Sequence, residues 1–235
     1  MPQCTVTLTA NAGVSISLGG LRVWVDALHD RQVPGFSTVS PAQWERICRS
    51  DALAPPDVIC FTHSHPDHFS RRLTEEAIRL WPSARLILPE PAFDGQILLR
   101  DQEERFSAGG VAFRFFRLTH ESRMYASVPH YGMTLCHDGF RVLIPGDCAV
   151  ASPQLGECLR DTAVDLALLD FPWITIRKGR EFTRDNIRPK HLLVYHLPFA
   201  QDDSVGYRSA AERSVRLTDL PDVRLLWEPF QTESV

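Results

Sequence analysis

The chain has 235 residues, 44% hydrophobic and 23% charged, with a formal net charge of −4. That length supports a sizeable core in an ordinary soluble globular protein, and the mildly acidic balance excludes the basic footprint of a nucleic-acid or anionic-membrane binder, though not a small anionic substrate. The opening "MPQCTVTLTA" has no signal-peptide pattern, no apolar run approaches a membrane span, and the six cysteines form no C-x-x-C pair, so reduced thiols and a cytoplasmic location are expected.

Alternating segments come first: "TVTLTA", "VSISL" and "LRVWVD", the last two separated by the hairpin dipeptide Gly19-Gly20. "SPAQWERICRSDAL" reads as a helix with Ser40 as N-cap and Pro41 in its first turn, stopped by Pro55-Pro56. "DVICF" is then a short buried strand, with Cys60 as a small apolar filler. "SRRLTEEAIRLW" has helical spacing of Leu73, Ala77 and Leu80, and "ARLILP" is another strand.

The middle is strand-rich. "VAFRFFRL" follows Gly109-Gly110, and "YGMTLC" pairs with "FRVLIPGD" across Asp138-Gly139. Strands "VDLALLDF" and "HLLVYHL" flank a charged stretch, "IRKGREFTRDN", expected to be irregular. A helix over "DDSVGYRSAAERSVRL" and a last strand, "VRLLWE", complete the series. No internal repeat or linker is visible. Two strand-rich halves, each closed by helices, predict one α/β domain over residues 1–235 built of two stacked sheets with helices outside.

Directly after "DVICF" stands "FTHSHPDHFS", with His63, His65, Asp67 and His68 inside six residues. Pro66 prevents a regular helix, so these side chains splay from a loop at the carboxyl end of a strand. Imidazole and carboxylate together suit zinc, and also iron or manganese. One loop cannot complete two coordination spheres, so remote partners are expected. His120 in "RLTHES", Asp147 in "IPGDC" and His196 in "VYHLPF" each end a strand-like run, where a sheet delivers side chains to a shared rim.

His130 in "SVPHYGM" is the rival to His120, as third ligand or substrate contact, and His120 is preferred because it ends "FRFFRL". His137 lies in a turn and is expected to face solvent. His191 shares a strand with His196 but, at that spacing, faces the other side. Cys148, next to Asp147, reads as filler rather than nucleophile.

This ordered set resembles the metallo-β-lactamase-fold hydrolase superfamily. The H-x-H-x-D-H motif, the later histidine, the Gly-Asp pair and the final histidine are matched by His63, His65, Asp67, His68, His120, Asp147 and His196. The resemblance implies an αββα sandwich of two mixed sheets with the site at one edge. It also implies His63, His65 and His120 on one metal, Asp67, His68 and His196 on a second, and Asp147 bridging. Asp26, in "VWVDAL", matches an early-strand aspartate and would accept a hydrogen bond from a ligating histidine. The zinc β-lactamases best known in the superfamily have a cysteine where this chain has Asp147, and the chain has no room for the inserted domain of the nucleic-acid-processing members. "GMTLCHDGFRVLIPGD" and "PKHLLVYHLPF" look most like the small branch that includes sugar-phosphate lactonases.

The chemistry expected is hydrolysis of an ester, lactone, thioester, amide or phosphoester of a small molecule. Two Zn2+ per chain (Mn2+ or Fe2+ as alternatives) would share a bridging hydroxide, with Asp67 and Asp147 as catalytic carboxylates. Tyr131, Tyr195, Arg177, Lys178, Arg180 and Lys190 are candidate substrate-facing residues, the basic run being able to grip an anion or simply to be a solvated loop. Two other readings stay open on the same fold: a mononuclear-iron oxygenase, and a non-catalytic metal-binding protein. Oligomeric state is not legible in the sequence.

Overall fold

Alternation of apolar side chains with serine and threonine makes the first sheet. The computed structural model describes residues 3–220 and 222–235. It begins with β1 (Cys4–Ala10), β2 (Gly13–Leu18) and β3 (Leu21–Val25), paired antiparallel. Gly19 and Gly20 take φ of 59° and 80° in the β2–β3 turn, backbone angles a side chain would strain. Ser40 caps α1 (Pro41–Arg49) by a capping box, its hydroxyl accepting from the Gln43 N–H while the Gln43 side chain accepts from the Ser40 N–H. Next come β4 (Val58–Cys60), α2 (Arg71–Leu80), β5 (Arg85–Leu88) and β6 (Ile97–Leu98).

The second half runs β7 (Glu103–Ala108), β8 (Val111–Arg117), β9 (Tyr131–His137), β10 (Phe140–Ile144), α3 (Pro153–Cys158) and β11 (Leu166–Asp170). It continues through α4 (Pro172–Thr175), α5 (Arg177–Phe182), β12 (His191–Tyr195), α6 (Tyr207–Val215), β13 (Val223–Leu225) and β14 (Thr232–Ser234). None of the helices described is long and apolar enough to cross a membrane.

The strands form two seven-stranded sheets, ordered β14-β1-β2-β3-β4-β5-β6 and β13-β12-β11-β10-β9-β8-β7. In each, a run of antiparallel neighbours (β14 to β3, and β7 to β10) gives way to parallel ones (β3 to β6, and β10 to β13). The halves thus repeat one strand plan with no repeat in their residues. β11 shows how the layers are sorted. Leu166 and Leu168 join the core that also holds Val6, Ile16 and Leu135, whereas Ala167 and Leu169 face Trp173 and Ala211 under α4 and α6. A strand covered on both faces reads as a continuous apolar run, as "LALL" does. On the outer face of the first sheet, Trp24 meets Trp44 of α1 and Trp81 after α2 edge-on, with centroids 6.3 and 5.2 Å away, and its indole N–H donates to Leu53 O. The result is an αββα sandwich of two mixed sheets.

Several local expectations are corrected. The charged stretch "IRKGREFTRDN" is α5 followed by a π-turn over Thr183–Ile187, because Gly179 lets the backbone pass within contact of Trp173. α6 starts only at Tyr207, since the Asp203 carboxylate accepts from the N–H groups of Gly206, Tyr207 and Arg208 and closes the preceding loop. The last apolar run is a strand only over Val223–Leu225. His137 is half-buried rather than exposed, packed over Gly19 with Nδ1 near Gly110 O.

Candidate metal centre

The parallel strands all end at the same rim, and the site hangs from those ends. Asp26 follows β3, the motif loop follows β4, Asp147 follows β10, and His196 follows β12. His120 comes from the loop after β8 and is held there by a bridge to Cys148. Asp26 and His196 both sit in the left-handed region, at φ 51° and 58°, conformations in which Asp and His are found more often than most side chains. The His196 N–H donates to the main-chain oxygen of Asn11, which anchors that turn to the end of β1.

The motif loop is pinned at both ends. His68 and Phe69 donate their N–H groups to His65 O, closing a turn around Pro66. Phe69 bridges Leu28, and Ser70 caps α2 by accepting from the Leu73 N–H. The loop can therefore aim its side chains in several directions without moving itself.

These side chains converge. Ligand atoms of His63, His65 and His120 lie within 4.8 Å of one another, as do those of His63, His68 and Asp147, and those of Asp67, His68 and His196. Asp147 joins the groups. Its Oδ2 lies 3.2 Å from His68 Nε2 and 3.9 Å from Nε2 of both His63 and His120, while its Oδ1 is 3.7 Å from His196 Nε2. Asp67 Oδ2 is also 3.7 Å from His196 Nε2. Nε2 of His63 and of His120 and Oδ1 of Asp147 are buried without a hydrogen-bond partner. Buried polar atoms that converge without a hydrogen-bond partner fit divalent cations, and the imidazole-carboxylate donor set suits zinc, manganese or iron.

A deeper layer fixes the ring orientations. The Thr62 hydroxyl donates its one proton to Asp26 Oδ2 at 2.6 Å, so at 2.9 Å from His63 Nδ1 it must accept. His63 therefore carries its proton on Nδ1 and turns a free Nε2 lone pair toward the cluster. His68 Nδ1 lies 3.0 Å from the same Asp26 oxygen and donates to it, which frees its Nε2 likewise. Asp26 is the orienting aspartate the sequence suggested. Thr62 was missed, since a threonine at a strand end carries no visible signal.

Electrostatics follow the geometry. Burial lowers His63 well below its usual value, and lowers His120 to about 4. Burial would lower His68 too, but the charge and hydrogen bond of Asp147, with Asp26 behind, hold it well above. Burial would lower His196 as well, but the charge and hydrogen bond of Asp147, with Asp67 adding to them, raise it. Burial would raise Asp147, yet His68 and His196 hold its carboxyl well below the carboxylate range.

Other candidates fall outside. His130 is fully buried, its ring 5.2 Å from His63 and 5.6 Å from His120, but it belongs to none of the ligand groups among the described residues. His191 is at the start of β12, at the opposite end of the strand from His196, with Nδ1 2.6 Å from Asp222. Its exclusion therefore rests on distance along the strand. The spacing argument fails because His196 has already left the strand. Lys190, paired with Asp165, is at that far end too. Tyr131 is buried and donates to Asp101 O, and Tyr195 is buried between the sheets. Arg180 donates to the carbonyls of Ile174 and Thr175, and Arg177 pairs with Glu181. Cys148 is buried and its thiol is raised well above its usual value, first by that burial, as filler requires. All six cysteines are free. Asp170, ending β11, had not been singled out; it is buried with one oxygen unpartnered, and its carboxyl is raised well above the usual range, first by burial and then by the Asp147 charge.

No protein of curated function matches this sequence. Solved structures do match in shape. A possible metal-dependent hydrolase from Veillonella parvula DSM 2008 has a TM-score of 0.72 at 16% identity, covering 100% of both chains. Igni18, a metallo hydrolase from the archaeon Ignicoccus hospitalis, has a TM-score of 0.69 at 18% identity, covering 98% of each chain. CmlA, a diiron β-hydroxylase from Streptomyces venezuelae, has a TM-score of 0.66 at 15% identity, covering 100% of this chain and 55% of that one. At such identities the likeness speaks to the fold. The sequence itself matches the family described as the Beta-lactamase superfamily domain over residues 21–194. The chain therefore belongs to the β-lactamase superfamily domain family and carries its metallo-β-lactamase fold.

Proposed function

We propose that the chain is a metal-dependent hydrolase of small molecules holding two divalent cations. His63, His65 and His120 would hold one, Asp67, His68 and His196 the other, and Asp147 both. The observation that carries the reading is one carboxylate shared by two histidine groups: Asp147 Oδ2 faces His63, His68 and His120, and Oδ1 faces His196. A closed structural zinc site uses four ligands and leaves none to share. Cations bound there supply an acidified water at neutral pH and a Lewis acid for a carbonyl or phosphoryl oxygen.

The chain's own residues do the rest. Asp26 and Thr62 lock the tautomers of His63 and His68, so no ring must turn over during reaction. Asp67, whose side chain is partly exposed, would accept a proton from the attacking water. Asp147 orients the shared centre. No serine or cysteine nucleophile is required.

The test is a screen of zinc-, manganese- and iron-loaded protein against ester, lactone, thioester and phosphoester substrates. Turnover that vanishes in Asp147→Ala and His65→Ala, with folding kept, is expected. Full activity in both variants would refute it. One iron per chain with oxygen consumption would replace it by an oxygenase, and two bound metals without turnover by a binding protein.

A further inference from the structure

Aromatic side chains stand against both halves of the centre. On one side the Tyr125 ring meets His65 and His120 edge-on, with centroids 4.4 and 5.0 Å away. On the other, Phe36 meets His196 at 4.8 Å and is backed by Tyr207, stacked on it at 5.8 Å and 21°. Tyr125 is 40% exposed, and Phe36 and Tyr207 are half-buried, so each still offers ring surface.

The same rim collects exposed apolar side chains. Met124 is 84% exposed beside Tyr125, and Val205 is 62% exposed, in contact range of Gly35 next to Phe36. Soluble surfaces carry scattered apolar residues, but these two flank the two aromatic groups, one on the segment after β8 and one on the segment after β12.

The guanidinium groups of the basic run are spent on Glu181 and on the carbonyls of Ile174 and Thr175, which leaves the exposed Lys178 as the run's one remaining cation, and Lys190 is at the other end of the sheet. Nearest the cluster is an added carboxylate, Glu121, whose N–H donates to Asp147 O. A phosphate- or carboxylate-bearing substrate would therefore find no free guanidinium fork in that run.

Building on the hydrolase reading, we infer that the mouth takes an uncharged substrate whose scissile bond is joined to an aromatic or bulky apolar body, held between Tyr125 and Phe36. This departs from the anionic, sugar-phosphate-like substrate the sequence suggested. The rings would pack edge-on or offset against the substrate body, while the histidines and aspartates keep to the reacting group.

The test uses hydroxamates on the zinc-loaded protein, because all share one zinc-binding head and differ in body. By calorimetry, benzohydroxamate should bind about tenfold more tightly than acetohydroxamate, the size expected of one or two aromatic contacts. Its para-carboxylate analogue should bind more weakly than benzohydroxamate itself. In Tyr125→Ala and in Phe36→Ala the ratio of benzo- to acetohydroxamate affinity should fall toward one, whereas Leu217→Ala, exposed beyond the far end of α6, should keep it. An unchanged ratio in both aromatic variants, or tighter binding of the carboxylate, would overturn the inference. If no hydroxamate binds and no ester is turned over, the hydrolase reading has failed. The mouth is then read alone, by saturation-transfer NMR of benzamide with the metal-free protein. Transfer that is lost in the doubly substituted protein supports the aromatic mouth, and no transfer to the intact one overturns it.

Discussion

Thr62 and Asp26 are joined twice in the buried floor of the site. The Thr62 N–H donates to Asp26 Oδ1 at 2.8 Å and its hydroxyl to Oδ2 at 2.6 Å. The same carboxylate receives His68 Nδ1, and the same hydroxyl receives His63 Nδ1. One aspartate therefore aims two histidines, the first directly and the second through a threonine.

That arrangement predicts the effect of Thr62→Val. The shape is nearly kept, but His63 loses the acceptor that holds its proton on Nδ1. Metal affinity should fall by about 10- to 100-fold, the usual loss when such a partner is removed. Stability should drop by about 1–3 kcal/mol, because Asp26 loses a buried donor. Chelator competition measures the first and urea unfolding the second. Unaltered zinc affinity would show that the Thr62 hydroxyl does not orient the ring.

His120 and His130 separate by metal content. Both are buried, yet only His120 joins a ligand group. His120→Ala should lose one of the two metals, and His130→Gln should keep both with some loss of stability. Elemental analysis of the purified variants decides between them. The reverse pattern would exchange their roles.

His29 gives a pH dependence at a residue outside the ligand groups. Its Nε2 donates to Ala10 O at 2.9 Å, and burial lowers its pKa from 6.5 to about 4. The folded state therefore binds fewer protons than the unfolded one. Stability from this group is complete above pH 6.5 and is lost as pH falls toward about 4, by about 3 kcal/mol in all. His29→Gln can still donate to Ala10 but does not titrate. Relative to the variant, the wild type should lose stability between about pH 7.5 and about pH 4.5 when both are unfolded in urea with chelator present. Parallel curves would mean that His29 is not kept neutral.

Gly146 leaves no room behind Asp147. A Cβ there would stand 2.7 Å from His130 Nε2 and 2.9 Å from the Thr62 Cβ, and φ is already 58°. Gly146→Ala should cost about 1–3 kcal/mol from backbone strain alone, and should weaken metal binding by moving the neighbouring carboxylate. Thermal unfolding with and without zinc checks both. Wild-type values in each would mean the close approach is easily relieved.

What could be read in the residues depended on distance along the chain. His63, His65, Asp67 and His68 were legible because they crowd one loop, and His120, Asp147 and His196 because each follows an apolar run. Thr62 was not, since its role exists only once Asp26 is folded against it. Phe36 and Tyr125 carry no signal in the sequence, as ring contacts with histidines distant in the chain leave no spacing to find. Among the elements, β7 was missed because "EERFSA" is a half-exposed edge strand with few apolar residues, and α5 because glycine and charge disguise a helix whose glycine is required for packing. The repeated strand plan of the two sheets is carried by topology alone.

Anomalous diffraction from crystals of the zinc-loaded protein tests the central claim most directly. Two peaks are expected, one among His63, His65 and His120 and one among Asp67, His68 and His196, with an Asp147 oxygen at each. A single peak that leaves the second group of side chains turned away, or none at all, would contradict it.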